Sequence, residues 1–147
     1  MNVQELSDRL EITEVLSSYC HAVDQRDWIA MADQVFTADA TLDFSAFGGP
    51  NGVVSEVAPK LAASLQDFVG TQHTVSTVKI SLEGDLAKVR SAAIVSATLD
   101  ARGQEQSMLN GVWYDDEMVR TPLGWRISSR SLVRAWGPSA LTRVAAA

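Results

Sequence analysis

One cysteine, two histidines and four prolines are all that this 147-residue chain holds of the residue types that most often staple, ligate or break a fold. The lone thiol, Cys20, has no partner for an internal disulfide. Its place beside an apolar helical stripe predicts a packed thiol rather than a reactive one. Basic residues are also scarce: 12 Lys and Arg stand against 18 Asp and Glu, for a formal net charge of -6. Phosphate backbones are held by clustered cations, so DNA and RNA are not expected partners. No apolar run approaches the roughly 20 residues of a membrane-spanning helix, so the chain is not expected in a membrane. The opening MNVQELSDRL lacks the basic start and apolar core of a secretory signal, and a cytoplasmic location is the expectation. CxxC, HExxH, Walker and dinucleotide-binding glycine patterns are missing, so neither a metal nor any other cofactor is expected. Internal repeats and low-complexity linkers are absent as well.

What remains is an ordinary globular composition, 46% hydrophobic and 20% charged. The length predicts one domain that buries its core without metal or disulfide, spanning about residues 5–136 with a C-terminal tail. The stretch Ile12 to Trp28, ITEVLSSYCHAVDQRDW, organises the first half. Ile12, Leu16, Tyr19 and Val23 recur at the spacing of one helical face, which predicts a helix over about 4–25. Trp28, Met31, Ala32, Val35 and Phe36 predict a second, short helix. Leu42, Phe44 and Ala46 alternate with polar residues as in a half-buried strand over 41–46. GGPNG reads as a loop, and Val57, Leu61, Leu65 and Phe68 as a third helix that Gly70 ends.

From Thr71 the β-branched content rises and turns recur at Glu83–Asp85, Ala101–Gly103 and Thr121–Gly124, so the second half reads as an antiparallel meander of four strands that Gly137 and Pro138 stop. Helices followed by strands predict an α+β fold: a curved, mainly antiparallel sheet forming a cone-like half barrel, closed by the N-terminal helices around an apolar interior. Trp28, Phe44 and Trp136, aromatics at element ends, are expected to line its cavity. Leu86 and Ile94 on one strand face and Val89 and Val95 on the other leave the outer face apolar as well, which predicts a homodimer or higher homo-oligomer through it.

Asp24 follows Cys20 by one helical turn, so its carboxylate projects from the edge of the buried stripe, where it needs a partner. His73 opens the first strand of the meander. A carboxylate accepting from one ring nitrogen would fix the tautomer and leave the other nitrogen free to take a proton. His21 falls off the stripe and reads as a surface residue. Asp115 and Asp116 are adjacent, hence on opposite strand faces, and read as solvated or capping groups.

The motifs quoted above, with VFTADATLDF at 35–44, QHTVS at 72–76 and WYDDEMVRTPLGWRISSR at 113–130, resemble the nuclear transport factor 2-like superfamily. The similar branch is that of SnoaL-like polyketide cyclases, scytalone dehydratase, bile-acid dehydratase and hexachlorocyclohexane dehydrochlorinase. The resemblance implies that Asp24 and His73 form a catalytic dyad, that Tyr19 assists, and that a basic residue late in the sheet, placed at Arg134, does likewise. Where many relatives carry a second histidine this chain has Gln72. Read from the residues alone, Tyr19 is equally a core tyrosine and Arg134 equally a surface ion-pairing group. Two functions follow. One is a cofactor-free lyase or isomerase acting on a small hydrophobic alicyclic or polycyclic molecule, and the other a non-catalytic binding or oligomerising module. A dyad facing an open cavity favours the first, and a dyad sealed in core the second.

Overall fold

The first helix starts where a polar side chain can take up its free amides. Asn2 accepts from the Glu5 backbone N–H, and the Glu5 side chain accepts in return from the Asn2 N–H, which caps α1 over Val3–Asp24. The computed structural model describes residues 1–140. The tail beyond 140, expected as a short helix or disorder, lies outside the described residues. Ile12, Val15, Leu16, Tyr19 and Val23 are buried along one face of α1.

The chain turns at Gln25–Asp27 into α2, Trp28–Ala30, which runs on as a π-helical turn over Met31–Val35. Strand β1, Phe36–Asp43, follows directly. It begins five residues before the expected strand because its alternation is interrupted: its register against β6 shifts between Phe36 and Thr41, and Thr37 to Ala40 therefore do not read as a strand. A 3₁₀ turn at Ser45–Phe47 leads to β2, Asn51–Val53, inside the stretch expected as pure loop. Helix α3 spans Val54–Leu65, and Gly70, expected to end it, lies instead in β3, Phe68–Glu83.

The meander continues as β4, Leu86–Ala101, β5, Gln104–Thr121, and β6, Gly124–Ala140. Arg102 and Gly103, both at positive φ, make the tight turn between β4 and β5. Strand β6 does not stop at Gly137 and Pro138. Its pairing with β5 runs on to Ala140, and Pro138 falls at the register shift between Leu109 and Gly111, an irregularity of the kind that tolerates proline in a sheet.

The six strands form one sheet in the order β2-β1-β6-β5-β4-β3, antiparallel throughout except for the parallel β1–β6 pair. The helices pack on one face. There Ala87, Val89 and Ala93 of β4, Val112, Tyr114 and Met118 of β5, and Trp125 and Ile127 of β6 share one buried core with the apolar face of α1. At its other end α1 is pinned to the sheet by Asp8, which is buried and accepts two bonds from the Arg120 guanidinium at 2.6 and 2.7 Å and a third from Trp125 Nε1 at 3.1 Å. No helix among the described residues is long and apolar enough to cross a membrane.

Candidate active site

The last residue of α1 and the start of β3 meet at the open end of the sheet. Asp24 Oδ1 accepts from His73 Nδ1 at 2.6 Å, and Oδ2 accepts from the His73 backbone N–H at 2.8 Å. Thr71, two residues earlier on the same strand face, donates its hydroxyl to Oδ1 at 3.0 Å. Burial pushes the Asp24 carboxyl up, but the bonds from His73 and Thr71 outweigh it, and the group lies below its ordinary value. An ionised carboxylate only accepts, so Nδ1 carries a proton, and in the neutral ring Nε2 is the acceptor.

His73 lines a cavity of about 220 Å³ whose walls are largely apolar, among them Phe44, Leu61, Phe68, Val95 and Met108. The dyad is not sealed in core: the side chain of Asp24 keeps 20% and that of His73 9% of its surface in solvent. Tyr19 lines the same cavity and meets the His73 ring edge to face, with centroids 6.1 Å apart. Its phenol is pushed up to about 12 by burial, against the pull of Arg130. It therefore stays a neutral donor near neutral pH.

The other expected site residues are placed differently. Phe44 lines the cavity, but Trp28, Trp136 and Arg134 are not among its lining residues. Trp28 packs half-buried against the core at the start of α2. Trp136 is on the outer face. It pairs with Gly111, which in turn pairs with the exposed Ile94, and its indole occupies the space that a side chain at Gly111 would need. Arg134 pairs with the cavity-side Val112, yet it is exposed and makes no side-chain bond among the described residues. His21 is exposed on α1, and Cys20 is buried with its thiol pushed up to about 11 by burial, an inert packed group.

Sequence reasoning missed Arg130 and misplaced Asp116. Both are buried, and Arg130 Nε and Nη2 donate to the two Asp116 oxygens at 2.7 and 2.8 Å. Asp115 matches the expected solvated reading, paired with Arg90 on the outer face. The guanidinium carbon of Arg130 lies 4.2 Å from the Tyr19 ring centroid and 4.1 Å from that of Tyr114, so one cation backs both tyrosines of the cavity wall. Burial pushes the Asp116 carboxyl up in spite of this guanidinium, while Asp116 holds Arg130 protonated against the same burial. The signal lost in the sequence is a bulge. Met118 pairs with Ile127 but Glu117 with Ser129, so Ser128 is an extra residue, and it turns Arg130 from the outer to the inner face. A second, polar depression of about 520 Å³ lies on the outer face among Lys79, Lys88, Arg90, Asp115 and Glu117, away from the dyad.

Residues 4–131 match the profile of the SnoaL-like domain, and the chain belongs to that family. It is 38% identical to an uncharacterized protein of Mycobacterium tuberculosis, over 88% of this chain and 87% of the relative. Among solved structures, a protein from Kribbella flavida is 28% identical with a TM-score of 0.81, covering 90% of this chain and 93% of its own. The hexachlorocyclohexane dehydrochlorinase LinA-type3 from Novosphingobium barchaimii superposes with a TM-score of 0.81 at 18% identity, over 98% of this chain and 97% of its own. A scytalone dehydratase-like protein from Novosphingobium aromaticivorans superposes with a TM-score of 0.79 at 19% identity, over all of this chain and 99% of its own. These two distant likenesses establish the shared nuclear transport factor 2-like fold.

Proposed function

We propose that this SnoaL-like domain is a cofactor-free lyase of the dehydratase type, acting on a small, largely apolar cyclic molecule. The observation that carries the reading is a histidine whose Nδ1 is held by a carboxylate at 2.6 Å while its ring borders an apolar cavity. His73 Nε2 takes a proton from a ring carbon, and Asp24 stabilises the imidazolium. The electrons of the broken C–H bond form a C=C bond, and the leaving group departs from the neighbouring carbon. A departing hydroxide is met by the Tyr19 hydroxyl and leaves as water once the imidazolium returns its proton. Arg130 acts from behind the wall, its charge favouring negative charge that develops at the tyrosine face.

Size narrows the substrate. An apolar protein cavity of about 150 Å³ holds a benzene-sized guest, so about 220 Å³ suits one or two rings better than a four-ring steroid. The dehydrochlorinase and dehydratase neighbours act on compounds of the kind their names state, and their shared fold makes elimination the reaction to test first. The test is incubation with one- and two-ring alcohols, halides and ketones bearing an acidic C–H beside the leaving group, read by mass loss of water or hydrogen halide. Turnover in at least one class supports the reading, and no turnover across the panel, with ligands seen to bind, favours a binding module.

We also infer that two copies pair through the outer sheet face. There Ile94, Val133 and Trp136 are exposed within one patch across β4, β5 and β6, and single apolar residues on a monomer surface need no explanation whereas a cluster does.

A further inference from the structure

Three non-glycine residues have positive φ among those described: Arg26, Thr77 and Arg102. Arg102 sits in the β4–β5 turn and Thr77 at the register shift of β3, so both have a local reason. Arg26, with φ 61°, lies in the short link after α1, where glycine would meet the backbone demand at no steric cost. Its side chain gives the reason for the strain. It folds back over the end of α1, and Nη1 donates to the Val23 carbonyl at 2.9 Å and to Thr71 Oγ1 at 2.7 Å.

A guanidinium has no acceptor, so in that bond the Thr71 oxygen accepts, and its single proton is directed elsewhere. The acceptor within reach is Asp24 Oδ1, at 3.0 Å, the same oxygen that holds His73 Nδ1. Donor directions therefore run from Arg26 to Thr71 to Asp24, and from the ring to Asp24 from the other side. We infer that Arg26, acting through Thr71, is a positioning residue for the Asp24–His73 pair. It fixes the direction of the Thr71 hydroxyl, which in turn holds the carboxylate ionised and its Oδ1 aimed at the imidazole. Without the guanidinium the hydroxyl is free to rotate, and the weakest of the three bonds to the carboxylate is no longer fixed in direction. The remaining group beside Asp24, Cys20 one turn earlier on α1, is a neutral thiol that adds no charge.

The catalytic meaning of this chain rests on the proposed lyase reading, but its existence is tested without a substrate. The titration of the Asp24 carboxyl is followed by carbon-13 NMR and the His73 ring tautomer by nitrogen-15 NMR in wild type, Arg26→Gly, Thr71→Val and Thr71→Ser. Because glycine suits the backbone at this site, Arg26→Gly is expected to melt no lower than wild type. In Arg26→Gly and Thr71→Val the Asp24 midpoint is expected to rise by about 0.5 pH unit or more and the Nδ1–H tautomer to lose population. Thr71→Ser, which keeps the hydroxyl, stays at the wild-type values. An unchanged midpoint and tautomer in Arg26→Gly overturns the inference, whatever Thr71→Val shows. A fall in melting temperature for Arg26→Gly with the midpoint unmoved makes Arg26 a structural strap instead. None of these readouts changes if the lyase reading fails, so the two failures are distinguishable.

Discussion

Across 49 sequence positions, the Nδ1 of His73 lies 2.6 Å from Oδ1 of Asp24, the shortest of the three bonds that hold this carboxylate. The contact joins the end of α1 to β3, so the imidazole is carried on a strand and oriented from a helix. Neither group depends on a flexible loop for its place.

Behind that pair, Arg130 and Asp116 form a buried bidentate bridge. Arg130→Met leaves the Asp116 carboxylate buried without its partner and should destabilise the fold by about 3–5 kcal/mol in urea denaturation. The double variant Arg130→Met with Asp116→Leu removes both charges and should recover most of that loss. A double variant as unstable as the single one would show that the bridge itself, not the orphaned charge, sets the cost.

The pairing of Asp24 with His73 was legible through the family resemblance of the motifs that hold them; the edge of the helical stripe added only that the carboxylate needs a partner, and no local pattern joins residues 49 positions apart. The four-strand meander and the long first helix were legible from local periodicity alone. Arg130 was not, because the extra residue at Ser128 inverts the alternation read from Trp125 and Ile127. Trp136, expected inside as an aromatic at an element end, faces outward because a register shift beside Gly111 separates it from the phase of Leu132 and Arg134. The parallel partnership of β1 with β6 joins distant segments, and no local periodicity records it.

Acid sensitivity should trace to the far end of α1. The bonds from Arg120, Trp125 and Gln4 hold the Asp8 carboxyl well below its usual value against the cost of burial. A depressed folded-state pKa gives stability that is full above the unfolded value, near 3.9, and is lost as pH falls through the folded one. Thermal unfolding from pH 6 down to pH 2 should therefore fall less steeply for Asp8→Asn than for wild type, with Asp8→Asn the less stable at pH 6. Parallel curves would assign the acid sensitivity to other carboxylates.

Self-association through the outer face predicts a particle near twice the 15.9 kDa chain mass by light scattering at micromolar concentration. Ile94→Asp, on an exposed and solvent-tolerant position, should shift it to monomer with the melting curve of the subunit intact. A wild-type monomer under these conditions defeats the pairing.

Tyr19→Phe keeps the ring against Phe36, His73 and Tyr114 and removes only the hydroxyl. If that hydroxyl meets the leaving group, turnover should fall about 10-fold, the worth of one hydrogen bond to developing charge. The loss should shrink for substrates whose leaving group is a halide, which needs less help. Equal turnover by Tyr19→Phe on hydroxyl and halide substrates alike would leave the residue as wall and nothing more.

If His73 is the base, replacing it removes proton abstraction, and turnover of His73→Ala on a substrate found in the panel measures that loss. Circular dichroism first establishes that the variant is folded. The expected result is a fall in kcat of at least about 100-fold, the low end for a positioned acid-base group. A folded His73→Ala protein that turns over the same substrate at the wild-type rate contradicts it.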